Sequence, residues 1–136
     1  MKRFDAAGIL ALAAHVLAWV VTIWLAFGPV YRGASESPVA PGGAVSEPVH
    51  FTQTLIEVNG LAVLPLLVAP VVLTALALFA VLARRKVLPW VSAILLLGFC
   101  AVGSSSIGLS YLPAALTLLF SAILSLRRRV ARTRTG

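Results

Sequence analysis

Four long stretches of the chain are nearly free of polar side chains, and a polar or basic break separates each from the next. Ala6–Phe27 is the first. As a helix rising 1.5 Å per residue, it is long enough to cross roughly 30 Å of hydrocarbon. Leu61–Ala83 is the second, with Pro65 and Pro70 in one half. The third covers residues 87–107, its apolar part being Val87–Val102, and the fourth covers residues 109–126. Pro89 stands near the start of the third helix, where its missing N–H is harmless. The pattern predicts a single all-α integral membrane domain: a four-helix transmembrane bundle with a small extracellular β-hairpin between helices 1 and 2.

The first stretch also begins with a basic pair, Lys2-Arg3, as secretory signals do. Signal cores run only about 7–15 residues, and Pro29 follows the small-residue site Ala26-Phe27-Gly28. The segment reads as a retained first span.

Charge sets the orientation. Ten of the eleven Lys and Arg residues flank the apolar stretches on one side: Lys2 and Arg3, then Arg84, Arg85 and Lys86, then Arg127, Arg128, Arg129, Arg132 and Arg134. Arg32 is the exception, in the loop that also holds Glu36, Glu47 and Glu57. Cytoplasmic flanks collect Lys and Arg. Both termini are therefore expected in the cytoplasm, with residues 29–60 outside and 127–136 forming a basic, disordered tail. The composition, 60% hydrophobic and 11% charged, excludes a small water-soluble domain. The net charge of +7 is dispersed among membrane flanks. It points to the lipid bilayer and its anionic lipids as partners, and not to nucleic acid.

The loop between helices 1 and 2 has two parts. Gly33–Ser46 is rich in Gly, Pro, Ser and Ala, a turn composition. Val49–Val58 lacks Gly and Pro and is dominated by β-branched and aromatic residues, which predicts a strand. Val30–Arg32 is its expected partner. A two-stranded ribbon is marginal alone, so it should lean on the helix ends or on another subunit. Tyr31, Phe51, Leu55 and Glu57 are its candidate interaction residues. The turn from Gly103 through Ser104, Ser105 and Ser106 to Gly108 makes helices 3 and 4 antiparallel neighbours. It is either a tight hairpin with Tyr111 at the interface or the rim of a polar pocket.

Little catalytic chemistry is available. His15 is the one ionisable side chain inside a span, and such a residue is a functional candidate by default. At 100° per residue it shares an arc with Ala7, Ala11, Ala14, Ala18 and Thr22, whereas Ile9, Leu12, Val16, Leu17, Val20 and Ile23 occupy the remainder. A small, slightly polar face suits helix packing. A neutral His15 bonded to Thr74, Thr117 or Ser121 is one reading. The other is a cofactor-binding or proton-coupled role. No second histidine lies in a span, Cys100 is the only cysteine, and no carboxylate lies in a span interior. The expectation is a non-enzyme with no cofactor and no metal: a structural or interaction protein, either self-associating or a subunit of a membrane complex. The alternative is a small-molecule or ion transport module, or a cofactor-binding one, that uses His15.

Phe27-Gly28-Pro29-Val30-Tyr31, Leu55-Ile56-Glu57-Val58-Asn59-Gly60 and Ser106 through Pro113 resemble small bacterial four-span membrane proteins of uncharacterised function. That resemblance covers most of the chain and implies a bacterial inner (plasma) membrane location. More distantly, the layout is similar to claudin-like tetraspans. Claudins carry a Trp and a cysteine pair in their first outer segment, and residues 29–60 contain neither, so the resemblance carries over only the architecture.

Overall fold

The computed structural model describes residues 5–35, 49–85, 87–103 and 107–133, apart from the side chains of residues 34, 35, 49 and 128–133. Helix α1, Ala6–Phe27, starts where the Asp5 side chain accepts the Gly8 N–H at 3.0 Å, an N-cap that satisfies one of the orphan donors. It stops at Gly28, whose extended backbone (φ −78°, ψ 157°) is the one a residue before proline prefers. Strands β1, Tyr31–Ser35, and β2, Val49–Gln53, then pair antiparallel with Gly33 opposite Phe51. A Cβ on Gly33 would overlap the Phe51 ring, which covers this bare position.

The strand predicted over Val49–Val58 is shorter than expected. Gln53 is its last residue, and helix α2, Leu55–Asn59, follows. The cause is a capping box: Thr54 N–H donates to Glu57 Oε2 at 2.6 Å, and Glu57 N–H donates to Thr54 Oγ1 at 3.2 Å. The partner strand is also longer than the predicted Val30–Arg32 and begins one residue later. Gly60, at φ 64°, turns the chain into a 3₁₀ segment, Gly60–Val63, ahead of α3, Leu64–Leu82.

Helix α4 spans Leu88–Val102, and α5 spans Leu112–Thr133 after a 3₁₀ turn at Gly108–Tyr111. Each of α3, α4 and α5 opens on a Leu-Pro pair, with proline in the first turn where no N–H is needed. Two boundaries differ from expectation. α4 ends at Val102, well short of 107, because the chain turns at Gly103. α5 continues through the arginines to Thr133, since Arg is a good helix former and cations favour a helix C-terminus. The end of α3 closes through Arg84 N–H to the Val81 carbonyl and Arg85 N–H to the Ala80 carbonyl, with Arg84 at φ 54° in the left-handed position.

α1 packs against α3 and α5, and α4 packs against the same two, so α1 and α4 lie on a diagonal. Side-chain contacts set the directions. Ser121 reaches Ala7 while Tyr111 reaches Thr22, so α1 and α5 are antiparallel; His15 meets Thr74 while Thr22 meets Leu67, so α1 and α3 are too. The start of α1 and the ends of α3 and α5 therefore share one end of the bundle, with Arg84, Arg85 and Arg127. The hairpin and α2 lie at the opposite end. Lys2, Arg3, Lys86, Ser104, Ser105, Ser106 and residues 36–48 lie outside the described residues.

Ala7, Ala11, Ala14 and Ala18 are fully buried, as Thr22 nearly is, while Ile9, Leu12, Val16, Leu17, Val20 and Ile23 are exposed. An apolar exterior of this kind belongs in lipid. Among the described residues, three helical segments are long and apolar enough to cross a membrane: Ala6–Phe27, Leu55–Leu82 and Gly108–Arg127. α4 is apolar but has 15 residues, about 22 Å of helix against roughly 30 Å of hydrocarbon.

The α4–α5 connection is tight at the backbone. Gly108 N–H donates to the Gly103 carbonyl at 2.8 Å, and a Cβ on Gly108 would lie 2.6 Å from the Gly103 carbonyl carbon. Across this turn the Phe99 and Tyr111 rings meet edge-on, centroids 5.9 Å apart.

With Ala11 and Ala18 fully buried, Ala11→Leu and Ala18→Leu should each destabilise the bundle by about 1–3 kcal/mol. Val16→Leu, on the exposed face, should be near neutral. Unfolding of the purified variants in detergent measures this, and equal tolerance at all three positions would refute the packing assignment.

Candidate functional site

Of the buried polar side chains, Thr22, Thr74 and Ser121 lie along the α1 seam, and Ser92 lies on α4. His15 Nδ1 lies 3.0 Å from Thr74 Oγ1 on α3, and Trp19 Nε1 donates to His15 Nε2 at 3.2 Å from one turn along α1. The tautomer follows from donor and acceptor capacity. Indole N–H can only donate, so Nε2 must accept and Nδ1 must carry the proton. Thr74 Oγ1 then accepts from His15 and directs its own proton to the carbonyls of Pro70 (3.0 Å) and Val71 (2.9 Å). The relay runs Trp19, His15, Thr74, helix backbone, with every proton assigned.

The relay has a reason at this depth. Trp19 stands mid-helix with half its surface exposed. No water reaches the hydrocarbon to accept its N–H, so the partner has to come from the chain. His15 supplies it. Of the three expected partners of His15, Thr74 is the one it meets. Thr117 Oγ1 donates within its own helix to the Pro113 carbonyl at 2.7 Å, and Ser121 Oγ donates to the Ala7 carbonyl at 2.7 Å.

A second cluster lies one to two turns along α1. The Thr22 and Tyr111 hydroxyls are 2.8 Å apart, and both reach the Leu67 carbonyl, at 3.2 and 3.4 Å. Whichever hydroxyl donates to the other, the remaining proton points at Leu67. The cluster joins α1, α3 and the turn before α5, three elements far apart in sequence. Tyr111, expected at the interface, is fully buried here. Aromatic girdles made an interfacial position the natural expectation; the hydroxyl of Thr22 supplies the polar contact that water would otherwise provide. No buried side-chain nitrogen or oxygen among the described residues lacks a partner.

The other candidates are distributed as follows. Tyr31 and Phe51 are exposed on the hairpin, whereas Leu55 is buried in the main core and Glu57 caps α2. Leu55 therefore anchors the segment after the hairpin to the bundle, while Glu57 is exposed and holds the start of α2. The sequence signal for this was Thr54-x-x-Glu57 before an apolar run. His50 is exposed on β2, and Cys100 is buried in the core with a free thiol. Among the described residues no cluster of three or more His, Cys, Asp or Glu side chains could hold a metal ion. Arg85 and Arg127 are exposed, and Arg84 is engaged. The side chains of Arg128 and Arg129, and all of Lys86, lie outside the described residues. The polar pocket considered at Ser104–Ser106 does as well.

No family model matches the chain, and neither a curated protein nor a solved structure does.

The relay makes a graded prediction. His15→Leu leaves the Trp19 N–H without an acceptor and should destabilise the protein by about 1–3 kcal/mol. His15→Gln keeps one donor and one acceptor and should lose less than half as much. Thermal unfolding with parallel visible absorbance measures both. A Gln variant as stable as the parent but stripped of an absorbance band would instead make His15 a ligand.

Proposed function

We propose that the chain is a non-catalytic integral membrane protein of the bacterial inner membrane. In this reading it is a four-helix module with both termini in the cytoplasm, whose outer hairpin docks a second copy or a subunit of a membrane complex. One observation carries the non-catalytic part: both ring nitrogens of His15 are already bonded within the chain, to Thr74 and Trp19. A metal, haem or transported proton would have to displace one of these bonds at a depth where no water compensates.

The placement of charge supports the orientation. Arg84, Arg85 and Arg127 share the end of the bundle opposite the hairpin, in keeping with the positive-inside preference. α4 belongs to the same reading as a short fourth span, accommodated by local thinning of the bilayer or by neighbouring helices. The hairpin supports the docking role. It presents Tyr31 and Phe51 to solvent, aromatic types enriched at interfaces, and it is held by the buried Leu55 and the capped α2.

Two arms of one experiment in intact cells test this. After Cys100 is replaced, a cysteine at Ser37 should react with an impermeant thiol reagent and one at Thr133 should not. A photocrosslinking residue at Phe51 should give one discrete adduct, with a second copy or with one membrane protein. Labelling at Thr133 alone refutes the orientation, and a Phe51 probe that yields no discrete adduct refutes the docking role.

A further inference from the structure

We infer that residues 60–69 form a hinged arm at the hairpin end of α3, latched against α1 by the Thr22 and Tyr111 hydroxyls. Outward movement of the arm opens the seam between α1 and α3 while α2 and the hairpin stay seated. The inference concerns a motion within the bundle and does not depend on which partner the hairpin docks.

Two interruptions of the backbone ladder define the arm. At one end Gly60 takes φ 64° and ψ −162°, a conformation almost confined to glycine. It leads into the 3₁₀ segment Gly60–Val63, whose hydrogen bonds have poorer geometry than those of an α-helix. At the other end Pro70 has no N–H, so the Leu66 carbonyl loses its helical donor. The structure on either side is fixed independently. α2 is anchored by the buried Leu55, and the remainder of α3 is tied to α1 through Thr74, which meets His15 one turn beyond Pro70.

Burial separates the arm from the rest of α3. Val63 and Leu67 are its buried side chains, whereas Leu61, Leu64, Leu66 and Val68 are exposed. Beyond the arm, Val71, Thr74, Ala77 and Ala80 are buried, one in each turn. A segment with few buried contacts opens at lower free energy than its neighbours. The polar contact on the arm is therefore its main fastening. Thr22 Oγ1 and Tyr111 Oη lie 3.2 and 3.4 Å from the Leu67 carbonyl, and one proton of the pair serves it. That carbonyl lies next to the gap left by Pro70, so the latch closes on the arm close to its joint.

Nitroxide labels on the full chain in bicelles, with Cys100→Ala as background, test the arm. One label at Phe120 on α5 is paired with a second at Leu61 on the arm, or at Leu76 beyond it; all three positions are exposed. α3 and α5 occupy the other diagonal of the bundle, so both pairs span it. By pulsed dipolar EPR the parent should give one narrow distance distribution for each pair. Thr22→Val with Tyr111→Phe should broaden the Leu61 distribution toward longer distances and leave the Leu76 distribution unchanged. Adding Pro70→Ala, which restores the missing donor, should narrow it again. Equal broadening of both pairs, or of neither, overturns the inference, and a distribution that stays broad with Pro70→Ala removes Pro70 as the joint. If the double variant does not fold, Tyr111→Phe alone should move the Leu61 pair in the same direction by less, and no movement there overturns the inference as well.

Discussion

A helix in hydrocarbon has no water to bond its polar groups, and the organisation of this bundle follows from that constraint. α1 carries three of the polar side chains in question: His15, Trp19 and Thr22. His15 and Thr22 meet partners on neighbouring elements, and Trp19 bonds His15 within α1. Thr74 and the Leu67 carbonyl hold α3, and Tyr111 holds the turn into α5. Ser121 closes the far end by donating to Ala7. The alanines between these points allow the backbones to approach closely enough for such short side chains to reach. Small residues and hydrogen bonds are thus one device: the first creates the distance that the second requires.

Proline takes part in the same device. Pro70 lies inside α3 and has no N–H to donate along the helix. The hydroxyls of Thr22, Tyr111 and Thr74 all converge on carbonyls of this stretch, at Leu67, Pro70 and Val71. The carbonyl that Pro70 leaves without its helical N–H is that of Leu66, so these bonds lie beside the gap and tie the proline stretch to its neighbours without filling it.

The buried arc of α1 is legible in the sequence because a helix advances 100° per residue and the small residues recur at that period. Three later features were not legible. Leu55 reads as a strand residue among Phe51, Ile56 and Val58 until the Thr54–Glu57 box is recognised as a helix start, a local hydrogen-bond preference outweighing β-propensity. Tyr111 looks interfacial because nothing local indicates that Thr22, 89 residues away, will bond its hydroxyl. The choice of Thr74 over Thr117 and Ser121 depends on helix rotation, and hydrophobic pattern alone does not fix which face of α3 turns toward α1. The Leu-Pro pairs were visible throughout, yet their regular use as helix openings emerges only once all three helices are placed.

Central to this account is the claim that α1 is clasped to the rest of the bundle by buried hydroxyls acting together. A double-mutant cycle on Thr22→Val and Tyr111→Phe, read by reversible unfolding in bicelles, tests it directly. Interhelical hydrogen bonds in membranes couple by roughly 0.6 kcal/mol and at most about 1.7. The account predicts a coupling in that range, with the double variant losing measurably less than the sum of the singles. Strictly additive losses would show that the two hydroxyls act independently, and would contradict it.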